Sequence, residues 1–285
     1  MSQEIFKRIE KKYLMNEAQF EAVRKAVREH MVPDKFANYS ISNIYFDTED
    51  YWMIRNSLEQ PEYKEKIRLR SYGAAKDDEK VFLELKKKYD GVVYKRRVTM
   101  TLKEARDYLI NGIHPGFDSQ ILREIDYAMQ QYKPVPAVHL SYDREAYAGK
   151  DAATAAGEIA AAGRAAAKAA AASDKDFRLT FDTNIRARQF AMDLKYPGFG
   201  EPVLPEGKVL MEVKIPGAMP LWFARVLSEN RVYPESFSKY GRYYRDYIAP
   251  SMAQSRYQGG RIDHTDRTGC IAADTAMYTG GKEIA

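Results

Sequence analysis

Thiol chemistry is nearly absent from this chain: its one cysteine, Cys270, can form neither an internal disulfide nor a cysteine-built zinc site. Histidine is almost as scarce. His30, His114, His139 and His264 stand far apart without ligand spacing, and no nucleophilic triad is visible. No apolar run approaches the roughly 20 residues of a membrane span, and the first residues lack the apolar core of a signal peptide. Those absences lead to the expectation of a cytoplasmic protein whose chemistry does not run through sulfur, imidazole or a bilayer.

What the chain does have is charge arranged on strands. The net charge of +5 over 285 residues is modest, so the basicity matters locally. In Lys66-Ile67-Arg68-Leu69-Arg70 the period-two alternation of a strand places Lys66, Arg68 and Arg70 on one face and the aliphatics on the other. The same grammar groups Glu84, Lys86 and Lys88, then Glu212 and Lys214, then Arg8, Glu10 and Lys12. An antiparallel sheet that leaves one face to water also carries charge there, but mixed with Thr, Ser and Gln. Repeated Arg, Lys and Glu at matched positions instead suggest a charged face curled into an ion-lined lumen. A surface of many fixed cations and few carboxylates suits a polyanion with a divalent metal.

The element pattern is α+β. A first strand is expected over 4–14. Asn16 with Gln19 forms a capping box ahead of the stripe Phe20, Val23 and Val27. Strands follow at 41–47, 65–72 and 80–88. Asp90-Gly91 then turns a hairpin into 92–100. Thr101 with Glu104 opens a helix to Asn111, and another runs from Ser119 to Tyr132. Strands at 137–147, 176–184 and 208–215 and helices at 219–230 and 236–248 complete one domain over 1–250. Residues 151–173 are dominated by alanine and have little to bury, which marks an inserted segment. Residues 251–285 lack sustained periodicity and read as a disordered tail.

In order along the chain stand Arg8-x-Glu10-x-Lys12-Tyr13, Tyr45-Phe46-Asp47, Lys66-x-Arg68-x-Arg70-Ser71-Tyr72-Gly73, Glu84-x-Lys86, Lys95-Arg96-Arg97, Tyr142-x-Arg144, Arg178-Leu179-Thr180-Phe181-Asp182, Glu212-Val213-Lys214 and Ser238-Lys239-Tyr240. This series resembles the VTC domain, the polyphosphate polymerase branch of the triphosphate tunnel metalloenzymes, from about residue 4 to 248. The resemblance implies an eight-stranded antiparallel tunnel with peripheral helices and a C-terminal capping helix. It implies transfer of the terminal phosphoryl group of ATP to a growing polyphosphate chain, release of ADP, and assistance from Mn²⁺ or Mg²⁺. ATP and inorganic polyphosphate are the implied partners, with no nucleic acid, and with membrane association only through a partner protein. The hydrolase branches start with Glu-x-Glu-x-Lys; Arg8 replaces the first of those glutamates and removes one potential metal ligand.

Phosphoryl transfer asks a protein for alignment and for stabilisation of negative charge rather than for covalent work. Arg bridges adjacent phosphates bidentately and Lys supplies point charges. The expected catalytic set is therefore Arg68, Arg70, Lys86, Arg144, Arg178 and Glu212. Substrate contacts are expected from Lys12, Lys66, Lys95, Arg97, Lys214, Ser238 and Lys239. Glu212 and Glu10 are the expected metal ligands, because a hard divalent ion takes carboxylate oxygens. Two alternatives stay open on sequence alone: a metal-dependent triphosphatase, and a sensor that binds polyphosphate or inositol phosphate without turnover.

Overall fold

Among the described residues, apolar stripes build two core clusters, each under one face of antiparallel strands. The computed structural model describes residues 9–90, 92–150, 177–215 and 217–257. Arg8, the alanine-rich segment 151–173 and the tail beyond Tyr257 lie outside the described residues. The elements are β1 (Ile9–Met15), α1 (Glu17–His30), β2 (Met31–Asp47), α2 (Trp52–Leu58), β3 (Tyr63–Tyr72), β4 (Lys80–Tyr89), β5 (Val92–Thr101), α3 (Leu102–Asn111), α4 (Gln120–Tyr132), β6 (Val135–Gly149), β7 (Arg178–Arg188), β8 (Glu201–Pro202), β9 (Val209–Ile215), α5 (Leu221–Glu229), α6 (Lys239–Tyr243), a π-helical turn (Tyr244–Ile248) and α7 (Ala249–Tyr257). The α+β class and the antiparallel pairing agree with expectation, with the two-residue β8 added to eight longer strands.

The chain forms two compact units. The first draws its described residues from the stretches Met1–Ser40, Tyr142–Ile185 and Leu204–Phe237. Its strand order is β1-β9-β7-β6-β2. Both side chains of the Asn16/Gln19 capping box are engaged at the start of α1, and Val23 and Val27 bury the apolar stripe. They pack with Tyr13, Met15, Phe181, Met211, Phe223 and Leu227. Each such large side chain contributes about 1.5–3 kcal/mol by leaving water.

The second unit comprises the described parts of Ile41–Ser141, Arg186–Val203 and Ser238–Ala285. Its order is β6-β2-β3-β4-β5. Ile44, Phe46, Ile67, Leu69, Leu83, Leu85 and Val98 point to one side and meet Leu102, Ala105, Leu122 and Ile125 of α3 and α4. Because side chains directly opposite in an antiparallel pair share a face, the alternate residues of these strands form a second, charged surface.

Three element boundaries differ from the sequence expectation. Strand β2 starts at Met31 rather than at residue 41. Its register with β3 covers only Ile41–Phe46, and most of residues 32–40 are exposed, so the alternation that marks a strand is missing there. Strand β7 continues past Asn184, which adopts a left-handed φ of 50° inside the strand, to Arg188. At the C-terminal end the helix passes through a π turn and continues past Pro250 to Tyr257, so the expected tail begins as helix. Pro250 has no N–H to donate to a carbonyl four residues back. The π turn immediately before it is where the ladder changes register.

Candidate functional site

Strands β3, β4 and β5 set Glu84 among cations. Its Cα neighbours across the sheet are Arg68 and Arg97, and the next row is Lys66, Lys86 and Lys95. Arg68 donates to Glu84 Oε2 from Nε at 2.8 Å. On Oε1, Lys95 Nζ lies at 2.8 Å, Arg97 Nε also at 2.8 Å, and Arg97 Nη2 donates as well. Arg70 stands 4.0 Å off and donates its Nε to Asn43 Oδ1 at 2.9 Å. Glu84 is only 1 % exposed. Burial alone would raise its pKa, but the charges of Arg68, Arg70 and Lys95 outweigh that and hold it far below the usual carboxylate range. Four cations thus share one buried carboxylate and keep a large surplus of positive charge. That surplus, spread over a strand face, is what a chain of phosphates would neutralise.

Tyr45 feels the same surplus. Burial works to raise its phenol, yet Arg68 and Arg70, together with the bond from Arg68 Nη1 at 3.2 Å, bring it down to about 8. Its ring stacks on Tyr240 of α6 with centroids 5.0 Å apart. Tyr240 donates to Asp47 Oδ2 at 2.9 Å, and Asp47 also accepts from the backbone N–H groups of Thr48, Met53 and Ile54. Asp47 therefore holds the start of α2 and the body of α6 with one carboxylate. Ser238 caps α6 by accepting from Gly241 N at 3.1 Å, and Lys66 Nζ reaches Ser238 Oγ at 3.4 Å. Lys239 follows as the first residue of α6.

In the other unit, β1, β9 and β7 align Lys12, Glu212 and Thr180 in one row and Glu10, Lys214 and Arg178 in the next. Arg144 of β6 grips Asp182 with two bonds, at 2.6 and 2.7 Å, and donates to Glu212 Oε2 at 2.9 Å. Burial would lower its pKa; Tyr142, Asp182 and Glu212 more than offset this and raise it well above its ordinary value. Lys12 Nζ lies 3.7 Å from Glu212 Oε1 and 3.6 Å from Glu10 Oε1, and it donates to the Phe237 carbonyl at 2.9 Å. Arg178 is exposed, with Asp34 at 3.9 Å.

The VTC domain family model matches residues 7–155 and 164–246. The chain belongs to the VTC domain family. Comparison with curated proteins returned no match. Among solved structures this VTC domain is similar to a candidate adenylate cyclase from Bacillus halodurans, at 13 % identity over 84 % of this chain and 97 % of that one, with a TM-score of 0.46. It is also similar to a candidate adenylyl cyclase from Hippeastrum with a dominant triphosphatase activity, at 13 % identity over 90 % of this chain and 98 % of that one, TM-score 0.42. A third is the PH1819 protein of Pyrococcus horikoshii, at 12 % identity over 86 % and 99 %, TM-score 0.39.

The expected residues of this VTC domain fall into two described groups. Arg68, Arg70, Lys95 and Arg97 gather on Glu84, with Lys66 and Lys86 one row away and Lys66 also touching Ser238. Arg144, Glu212 and Lys12 gather with Glu10, while Arg178 and Lys214 occupy the neighbouring row of that face. By sequence alone Glu84 could take a metal or equally hold nearby Arg and Lys side chains in position, with Asp182 a weaker candidate at a strand end. The structure makes Glu84 the hub of four cations and Asp182 a fully buried anchor for Arg144. The signal for Glu84 was present: it is the one carboxylate on its face of β3, β4 and β5. Asn43 left no comparable trace; the structure shows it as a buried amide on the face of Tyr45.

Among the described residues no group of three or more carboxylate, histidine or cysteine side chains assembles a metal cage. Both oxygens of Glu212 face cations, and Asp182 is committed to Arg144. This donor set fits a divalent ion that brings phosphate oxygens with it and takes one or two carboxylates from the protein, Glu212 first and the more exposed Glu10 second.

Proposed function

We propose that this VTC domain is an ATP-dependent polyphosphate polymerase that passes the terminal phosphoryl group of ATP to the end of a polyphosphate chain and releases ADP. The observation that carries the reading is the Glu84 cluster. Arg68, Arg70, Lys95 and Arg97 are oriented by one carboxylate yet far outnumber it. Preorganised cations of this kind stabilise the charge that develops on a transferring phosphoryl group without reorganising at the moment of reaction. Arg68 and Arg70 hold adjacent phosphates, Lys86 and Lys95 add point charges, and Ser238 and Lys239 contact phosphate from α6. In the other unit, Arg144 and Lys12 keep Glu212 in place. Mn²⁺ or Mg²⁺ that arrives with phosphate oxygens would take Glu212, with Glu10, as its carboxylates and supply charge neutralisation. The acceptor is a phosphate oxygen already ionised near neutral pH, so the protein needs no strong base.

The test is product analysis. Purified protein incubated with ATP and Mn²⁺ is expected to yield ADP and a ladder of polyphosphate on a stained gel. Arg68→Ala should reduce that yield by about 10²-fold or more in a variant that still folds, because Arg70, Lys95 and Arg97 remain on Glu84. Orthophosphate in place of the ladder would make the protein a triphosphatase, and tight polyphosphate binding with no turnover would make it a sensor.

A further inference from the structure

We propose that Thr180 supplies a second protein oxygen, beside Glu212, to the divalent metal that accompanies the phosphates; the inference rests on the function proposed above. Thr180 sits on β7 between Arg178 and Asp182 in the alternation of the strand, so it shares their face. Its register partner on β9 is Glu212, whose own partner on β1 is Lys12. Its Oγ1 is the one buried side-chain oxygen or nitrogen among the described residues that has no hydrogen-bond partner.

The large majority of buried side-chain polar atoms are paired, with protein or with ordered water, and one left alone calls for an explanation. The neighbouring polar groups do not share this condition: Arg144, Asp182, Glu212 and Lys12 all bond to one another or to backbone. Valine has nearly the same shape and a strand preference at least as strong, so packing alone gives no reason for a hydroxyl here. A threonine oxygen is a hard, neutral ligand of the kind that magnesium and manganese accept in nucleotide-binding sites. It adds an oxygen without adding charge, where Asp182 is already committed to Arg144. The shortage in this row is of metal oxygens, not of phosphate donors, because Lys12 and Arg144 already provide charged N–H groups.

The test compares Thr180→Val and Thr180→Ser with wild type in the full chain. Mn²⁺ binding is followed by the loss of the free-ion electron paramagnetic resonance signal in the presence of tripolyphosphate. Tripolyphosphate binding is measured separately by calorimetry in EDTA. The valine variant is expected to weaken Mn²⁺ binding about tenfold, with the serine variant within about twofold of wild type. The valine variant should also keep or raise the metal-free melting temperature and bind tripolyphosphate in EDTA as wild type does. Equal Mn²⁺ binding by the valine variant and wild type overturns the inference, as does equal weakening in EDTA, which would make Thr180 a phosphate donor. Thr180→Ala replaces the valine variant if that one fails to fold. A wild-type protein that binds no tripolyphosphate would refute the proposed function itself, an outcome distinct from either of these.

Discussion

Replacing Glu84 by glutamine leaves Arg68, Arg70, Lys95 and Arg97 facing one another without their shared carboxylate. Breaking a buried ionic network from one side costs about 3–5 kcal/mol. Glu84→Gln should therefore lower the melting temperature by several degrees, and added tripolyphosphate should restore more of it than the anion adds to wild type; an unchanged melting temperature would remove Glu84 as the organiser. Tyr45 gives a second measurable consequence. Its folded pKa of about 8 lies below the ordinary value of roughly 10, so between those two values the unfolded chain holds the proton that the folded one has released. Stability contributed by Tyr45 therefore rises with pH across that window. The difference spectrum between wild type and Tyr45→Phe should show one phenol ionising near pH 8, and the Arg68→Ala background should move it upward. The roles of Glu84, Asn43 and Asp182 were not settled by the sequence for one reason. Sequence spacing identifies which residues share a face, but which carboxylate each cation chooses depends on distances only the fold sets.

At the scale of elements, helix α6 is held against α2 by a close approach. A Cβ built on Gly241 would lie 2.8 Å from Leu58 Cδ2 and 3.2 Å from Ser238 Cβ. Gly241→Ala should cost about 1–3 kcal/mol by overpacking and should loosen Ser238 and Lys239, read as a lower melting temperature with a weaker apparent affinity for polyphosphate. Most elements were legible in advance, because both capping boxes, the Asp90 turn and the alternating strands each carry a local signal. The first ten residues of β2 carry none: Pro33, Asp34 and Lys35 interrupt any pattern, and pairing with distant residues decides their state. The end of β7 was hidden by Asn184, which reads as a strand stop, and α7 by Pro250.

For the whole molecule, charge has a local meaning that the net value of +5 conceals. Acidic residues elsewhere balance the sum, while the face around Glu84 stays cationic. The alternating strands and the ordered motifs allowed the family to be read from the sequence, and the match over residues 7–155 and 164–246 agrees with it. The gap in that match falls within the alanine-rich stretch. Deleting residues 151–173 should leave the melting temperature and product yield unchanged, since alanine has little surface to bury; a dead or unfolded deletion variant would show that the segment carries part of the site. The cations organised by Glu84 are expected to receive a chain of phosphates. Calorimetric titration of tripolyphosphate measures this: wild type should bind one molecule per chain with an affinity that falls steeply with salt, and Arg68→Ala should weaken it at least about tenfold. Wild-type protein that does not bind tripolyphosphate, or an Arg68→Ala variant that binds it equally well, would show that these cations do not hold phosphates.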